Sequence, residues 1–306
     1  MTETPVLPPP SDAPAVINSR PGLPLSKVAQ TLGPLEDLAG IWIGTGFNLI
    51  SLPDFDSRPP STGPRPFRLK LNSTVEILEF SPIGGAVPNR GSNGQQDIDI
   101  FGLRYLQRVA DATTNEALHV EPGFWLNVPP TVVPPGPATV VRQGSIPHGT
   151  SVLALGEPLT VPGGPRINPA DSTPTNNPDT GTPLGEVYLK PFAHPRLPRG
   201  FKRAYVKDLN LALTDAISKQ TITQTVVLPV STAAARGSAT QIGGLVNIPF
   251  NIPNANATRL DSIFWIETVQ QPDGDTFLQL QYTQTVVLNF LGIDWPHLSV
   301  ATLVKQ

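Results

Sequence analysis

Apolar and polar residues alternate with a period of two along much of this chain, and that period predicts strands rather than helices. In FRLKLNSTVEILEF, 67–80, Phe67, Leu69, Leu71, Val75 and Ile77 share one face, and Lys70, Asn72, Thr74 and Glu76 share the other. A half-buried strand follows, with the apolar face as the side to bury. In FLQLQYTQTVVLNF, 277–290, the alternation is longer. It sets Leu278, Leu280, Tyr282, Gln284, Val286, Leu288 and Phe290 against Gln279, Gln281, Thr283, Thr285 and Asn289. A strand of that length suits a barrel wall better than a small open sheet.

The same reading predicts strands over 40–47, 98–109, 117–125, 138–143, 151–155, 205–213, 220–230 and 260–270. The one helical stretch, within 24–40, precedes the first strand and would cap or flank it. An all-β fold is therefore expected: an antiparallel β-barrel of about ten strands, since closure limits exposed edges. Loops are expected at 51–66, 82–96, 127–137 and 157–200. The last is too long for an ordinary connection, so it reads as an insertion, a lid or a linker. Residues 31–306 are expected to form a single barrel domain, because neither half offers enough strands to close one. Residues 1–30 read as a disordered, Pro-rich leader.

Composition sharpens this picture. The chain has 37 prolines and 26 glycines in 306 residues, which fits many strands joined by irregular loops. With 21 Lys plus Arg against 24 Asp plus Glu, its net charge is -3 and it has no basic run. That excludes the electrostatic footprint expected for nucleic acid or an anionic membrane. The absence of cysteine excludes disulfides, thiolate catalysis and cysteine-ligated metal. The N-terminus does not read as a secretory signal and no apolar run approaches the length of a membrane span, so the expectation is a cytoplasmic protein. The Asn-x-Ser/Thr matches at Asn72 and Asn256 are then chance.

Candidate chemistry is sparse. LAGIWIGTGFN, 38–48, is glycine-rich, yet the third position of a dinucleotide fingerprint begun at Gly44 and Gly46 is Leu49, and a proline-rich loop follows instead of a helix. No Gly-Lys-Ser/Thr ending, H-E-x-x-H or G-x-S-x-G is present. His119 and Glu121 fall on one strand face, where they could bind a metal or move a proton, or form a hydrogen-bonded polar cluster that fixes the strand. His148 reads as a turn residue and His194 as exposed within the long insertion. His297, after the long strand, is placed at a barrel mouth or inner wall. TQTVVL occurs at 223–228 and 283–288, with Gln224 and Gln284 on the apolar side in each copy. These two amides either line a ligand cavity together or recur by chance.

Three segments, in order, resemble the nitrobindin group of haem proteins, a fatty-acid-binding-protein-like branch of the calycin barrels. Gly40-Ile41-Trp42-Ile43-Gly44-Thr45-Gly46 is similar to its opening G-x-W-x-G-x-G. FGLRYLQRVADATTNEALHVEPGFWL, 101–126, resembles its strand pair ending in H-x-E-x-G-[FY]-[WL]. LQLQYTQTVVLNFLGIDWPHLSVATLVK, 278–305, resembles its closing strands with a terminal His-Leu. Asn48-Leu49-Ile50-Ser51 departs from the Tyr-Pro-Thr segment that lines the haem in that family. The resemblance implies a barrel in which Trp42 starts the first strand at the barrel end and the glycines permit close approach. It also implies haem b held by His297 as the metal ligand, with Trp42, Tyr282 and Gln284 as cofactor-contacting candidates. The chemistry implied is nitric oxide binding and peroxynitrite isomerisation. Two other functions are compatible with the residues. One is a calycin-like carrier of a small hydrophobic ligand, without iron, and the other is a barrel enzyme using His119 and Glu121 as catalytic groups.

Overall fold

A computed structural model describes residues 30–54, 67–175, 184–233 and 243–306. The chain first lays down β1 (Gly40–Pro53), β2 (Phe67–Pro82), β3 (Val87–Asn89), β4 (Ile98–Asp111) and β5 (Ala117–Val128). A small ribbon of β6 (Thr131–Val132) and β7 (Pro135–Gly136) leads into β8 (Thr139–Ile146), β9 (Thr150–Gly156) and β10 (Leu159–Pro162). After a long excursion come β11 (Thr221–Ser231), β12 (Gly244–Asn247), β13 (Asn256–Gln270), β14 (Thr276–Phe290) and β15 (Ile293–Lys305). Antiparallel pairing runs in the order β11, β13, β14, β15, β1, β2, β4, β5, β8, β9, and Ser231 of β11 pairs with Leu155 of β9. That last pairing closes a ten-stranded antiparallel barrel, as the alternation predicted.

One end of the barrel is plugged. A 3-10 helix, Gly33–Leu38, buries Leu35 and Leu38 against Trp42, Leu78, Phe80, Leu103 and Trp125. The indole Nε1–H of Trp42 donates to the Leu38 carbonyl at 2.8 Å, so the plug is tied to the first strand. The expected cap is thus present at its described end, while 24–29 and the leader expected at 1–30, apart from its last residue, lie outside the described residues. The glycines of the opening motif serve packing. A Cβ on Gly44 would run into the Thr302 carbonyl, and one on Gly46 into the Val300 carbonyl, so only glycine lets β15 cross β1 this closely.

The segment expected at 157–200 as an insertion begins as β10, which pairs with β11, and continues as a strap over the outer wall. The strap includes the helix Glu186–Ala193, a 3-10 turn Arg203–Val206 and the helix Leu211–Ile217. Its Phe201, Tyr205, Val206, Leu209 and Leu213 pack on Leu49, Trp265, Leu298 and Val300 of the barrel's outer face. Leu184 joins Phe67, Phe290, Ile293 and Trp295 in a further cluster beside the β14–β15 turn. The strand expected at 205–213 is therefore a correction. Tyr205, Leu209, Ala212 and Leu213 recur at helical spacing and are the residues the strap buries.

The strap also inverts the expected facing of β2. Thr74, Glu76, Leu78 and Phe80 point inward, whereas Leu69 and Leu71 lie outward under the strap and Val75 is exposed. The outward Gln279, Gln281 and Thr283 of β14 are buried by the same cover. Alternation marks two faces, and it does not say which one meets the barrel axis when both are covered.

Candidate functional site

Above the apolar plug, the barrel axis is crossed by a layer of buried polar side chains. Arg142 on β8 donates from Nη2 to Glu121 Oε1 on β5 at 2.8 Å, from Nη1 to Gln284 Oε1 at 2.6 Å, and from Nε to the Tyr105 hydroxyl at 3.3 Å. Tyr105 donates its hydroxyl to Glu121 as well. Beside them, the Tyr282 hydroxyl donates to Glu76 Oε2 at 2.6 Å and accepts from Gln107 Nε2 at 3.1 Å, while Thr74 donates to Glu76 Oε1 at 2.9 Å. Glycine makes this density possible. Gly123 and Gly144 are paired across β5 and β8, and a Cβ on either would strike Tyr105 or Glu121.

The two carboxyls of the layer are driven apart. Burial alone would raise the Glu121 carboxyl, but the Arg142 guanidinium, with help from His119 and Tyr105, holds it down at about 2. Glu76 has no cation in bonding reach among the described residues, so burial raises it above the ordinary carboxylate value despite three donated hydrogen bonds. Burial likewise raises the Tyr282 hydroxyl well above its ordinary value. The layer therefore pairs an ionised carboxylate with a carboxyl biased toward its protonated form.

His119 stands at the edge of this layer. Its Nε2 lies 3.2 Å from Glu121 Oε2, and the imidazole is 23% exposed where the carboxylate is 0% exposed. Its ring stacks on His148 at 6.0 Å between centroids. A buried ionised carboxylate fixes the tautomer of an imidazole by accepting Nε2–H, which leaves Nδ1 for a ligand or a proton. At this end the inward face continues through Asn48, Ile50, Val286 and Ser299, all half-buried. His119 and Glu121 are thus brought together, as their spacing suggested.

The residues named for haem are not. The ladder between β1 and β15 runs from Trp42 opposite Lys305 to Leu49 opposite Leu298, and the next rungs would set Ser51 against Pro296, which has no N–H to offer. His297 fills that gap, with Nε2 2.5 Å from the Ser51 carbonyl and 3.2 Å from the Ser51 N–H. Burial pushes its imidazole down to about 4, partly offset by the Ser51 bond, so the ring is neutral. Trp42 lies in the plug at the far end of the barrel, and Tyr282 and Gln284 are engaged by Glu76 and Arg142. Gln224 does not join Gln284 either. Gln224 lies opposite Thr268 and is exposed, whereas Gln284 lies opposite Ser262, six residues away along β13.

Arg142, Tyr105, Glu76 and Gln107 were not singled out from sequence. Arg142 had a signal, as a lone charge between Val140 and Gly144 on an inward face. Glu76 was placed only on the polar face of β2, which turns out to face the axis. His148 sits in the β8–β9 turn as expected, and His194 is exposed at the end of a strap helix. A groove of about 700 Å3 lies on the outer wall between Glu79, Arg104, Leu106, Phe124 and Gln143, with Tyr105, Gly123 and Gly144 of the polar layer in its lining.

No family model and no curated protein matches this chain. Among solved structures, it is similar to the crystal structure of Rv2717c from M. tuberculosis, at 16% identity and a TM-score of 0.42, over 90% of this chain and 97% of that one.

Proposed function

We propose that this protein is a ligand-binding barrel that receives a small molecule at the His119 end, with His119 as the contact group and Glu121 as the residue that orients it. The observation that carries this reading is the pair itself: a partly exposed imidazole braced by a buried, ionised carboxylate. The floor beneath is polar and the half-buried rim includes Ile50 and Val286, a combination suited to a ligand with one polar and one apolar part. The test is displacement of an apolar fluorescent probe, anilinonaphthalene sulfonate, from the wild type, His119→Ala and Glu121→Gln. Saturable binding weakened at least about tenfold in His119→Ala is expected, as for loss of a partly desolvated polar contact. Equal binding by the variant would overturn the assignment. The same braced imidazole is suited to general-base chemistry, and turnover lost in both variants with binding retained would move the reading from carrier to enzyme.

The narrower reading, haem b on His297 with nitric oxide or peroxynitrite chemistry, is supported by the nitrobindin-like motifs. It requires Nε2 of His297 to leave the Ser51 carbonyl. Titration with hemin beside His297→Ala tests it: a sharp, saturating Soret band that the variant shifts or abolishes supports haem, and weak binding indifferent to His297 leaves an iron-free barrel.

A further inference from the structure

Three of the four most exposed large apolar side chains among the described residues, Val246, Phe250 and Ile252, cluster with Ile248 at one end of the barrel. Val246, Ile248, Phe250 and Ile252 are 72%, 48%, 71% and 56% exposed. They stand in one stretch that runs from β12 into the short helix Asn251–Asn254. The stretch is anchored through its backbone and its polar residues. Ile248 N–H donates to the Gly149 carbonyl at 2.8 Å, Asn251 Nδ2 to the His148 carbonyl at 2.8 Å, and Asn247 Nδ2 to the Ala257 carbonyl at 2.8 Å. The anchoring leaves the apolar side chains facing solvent. Residues 243–258 include no charged side chain.

A second loop adds to this rim. Asn256 pairs with Asn289, and just beyond it Leu291 and Gly292 form the two-residue turn between β14 and β15, with φ of 58° and 68°. A turn with positive φ at both positions favours Asn-Gly, because a branched side chain crowds the backbone there. Leucine is unfavourable at that position, yet its side chain is 41% exposed. The interior gains little from it, so its use lies outside the molecule.

We infer that this rim docks onto the surface of a zwitterionic lipid bilayer, with Val246, Phe250, Ile252 and Leu291 entering the headgroup region. The charge distribution selects the occupant. The chain has a net charge of -3 and the stretch has no basic residue, so attraction to anionic lipid has no source and insertion is driven by apolar burial alone. The expected absence of a basic footprint addresses anionic membranes only. A second copy of the chain fits less well, because four side chains on two loops are only a small part of the roughly 800 Å2 per partner that a stable interface needs. No described helix is long and apolar enough to cross a membrane, so the contact is peripheral. This inference does not depend on the ligand reading above.

The test is co-sedimentation of the full chain with phosphatidylcholine vesicles at low and high salt, with Phe250→Ser and Leu291→Asn in parallel. The wild type should partition onto the vesicles equally at both salts. Phe250→Ser should lower the partition coefficient roughly tenfold or more, from the apolar area removed. Leu291→Asn should weaken vesicle binding while keeping or raising the unfolding temperature, a combination that a merely structural leucine would not give. The inference is overturned by absence of binding to phosphatidylcholine, or by binding that needs anionic lipid and disappears at high salt. It is equally overturned if the wild type instead forms a dimer in sedimentation velocity that Phe250→Ser dissolves.

Discussion

Arg142 and Glu121 form an ion pair between the neighbouring strands β8 and β5 inside the barrel, 2.8 Å apart, with side chains only 1% and 0% exposed, and the carboxyl group lies over the bare backbone of Gly144. Two charges out of water are stabilised only by each other and by their remaining hydrogen bonds, so removing one strands the other. Arg142→Met is expected to cost about 3–5 kcal/mol in urea unfolding. The double variant Arg142→Met/Glu121→Gln should recover a large part of that loss, because no unpaired charge remains buried. Equal losses for the single and double variants would show that the pair matters through shape alone.

Gly144→Ala tests the same layer from below. Its Cβ would meet Glu121 and the Tyr105 hydroxyl, neither of which has room to withdraw. The variant should lose about 1–3 kcal/mol, and the NMR resonances of the His119 ring should move as its brace shifts. Unchanged ring resonances would argue that the carboxylate does not orient the imidazole.

Glu267 supplies a pH dependence. This carboxyl sits on the outer face of β13 under the strap, with Gln279 Nε2 donating to Oε2 at 2.6 Å and no partner for Oε1 among the described residues. Burial raises it from 4.5 to about 7. The folded form therefore prefers the protonated group: its contribution is intact below pH 4.5 and is lost as pH rises toward 7, then stays level. Glu267→Gln should be as stable as the wild type in acid and gain on it across that window by on the order of 3 kcal/mol. Parallel stability curves for the two proteins would exclude the assignment.

His297 works in the opposite direction. Its folded value of about 4 against an ordinary 6.5 means that the neutral form is favoured by folding. Its contribution is complete above pH 6.5 and disappears as pH falls toward 4. The advantage of wild type over His297→Asn should shrink through that range, and NMR should find an imidazole that stays neutral until about pH 4. Because Glu267 and His297 oppose one another over much of the same interval, the wild type should vary less with pH than either variant.

The barrel was legible because strands of fourteen or fifteen residues, such as β4 and β14, state their period many times over. The His119–Glu121 pair was legible for the same reason, since two residues apart on a strand means one face. The facing of β2 was not. Its outward Leu69 and Leu71 are covered by a segment more than a hundred residues away, and alternation has no term for such a cover. Arg142 was overlooked for a related reason: its partner Glu121 lies on another strand, and glycine at position 144 gives no sequence sign that it is leaving room for a carboxylate. For His297, the family-like motif marked the residue, while its engagement with Ser51 depends on where a proline interrupts a ladder.

The pairing of β1 with β15 also has a temporal side. Trp42 is hydrogen-bonded territory for residues as far along as Lys305, so the ring cannot close on the ribosome until β15 has emerged. Until then β1 and β14 each present an unsatisfied edge, and β14 carries the apolar run that would seek another strand. Nascent chains halted before residue 293 should need chaperone protection that the finished chain does not.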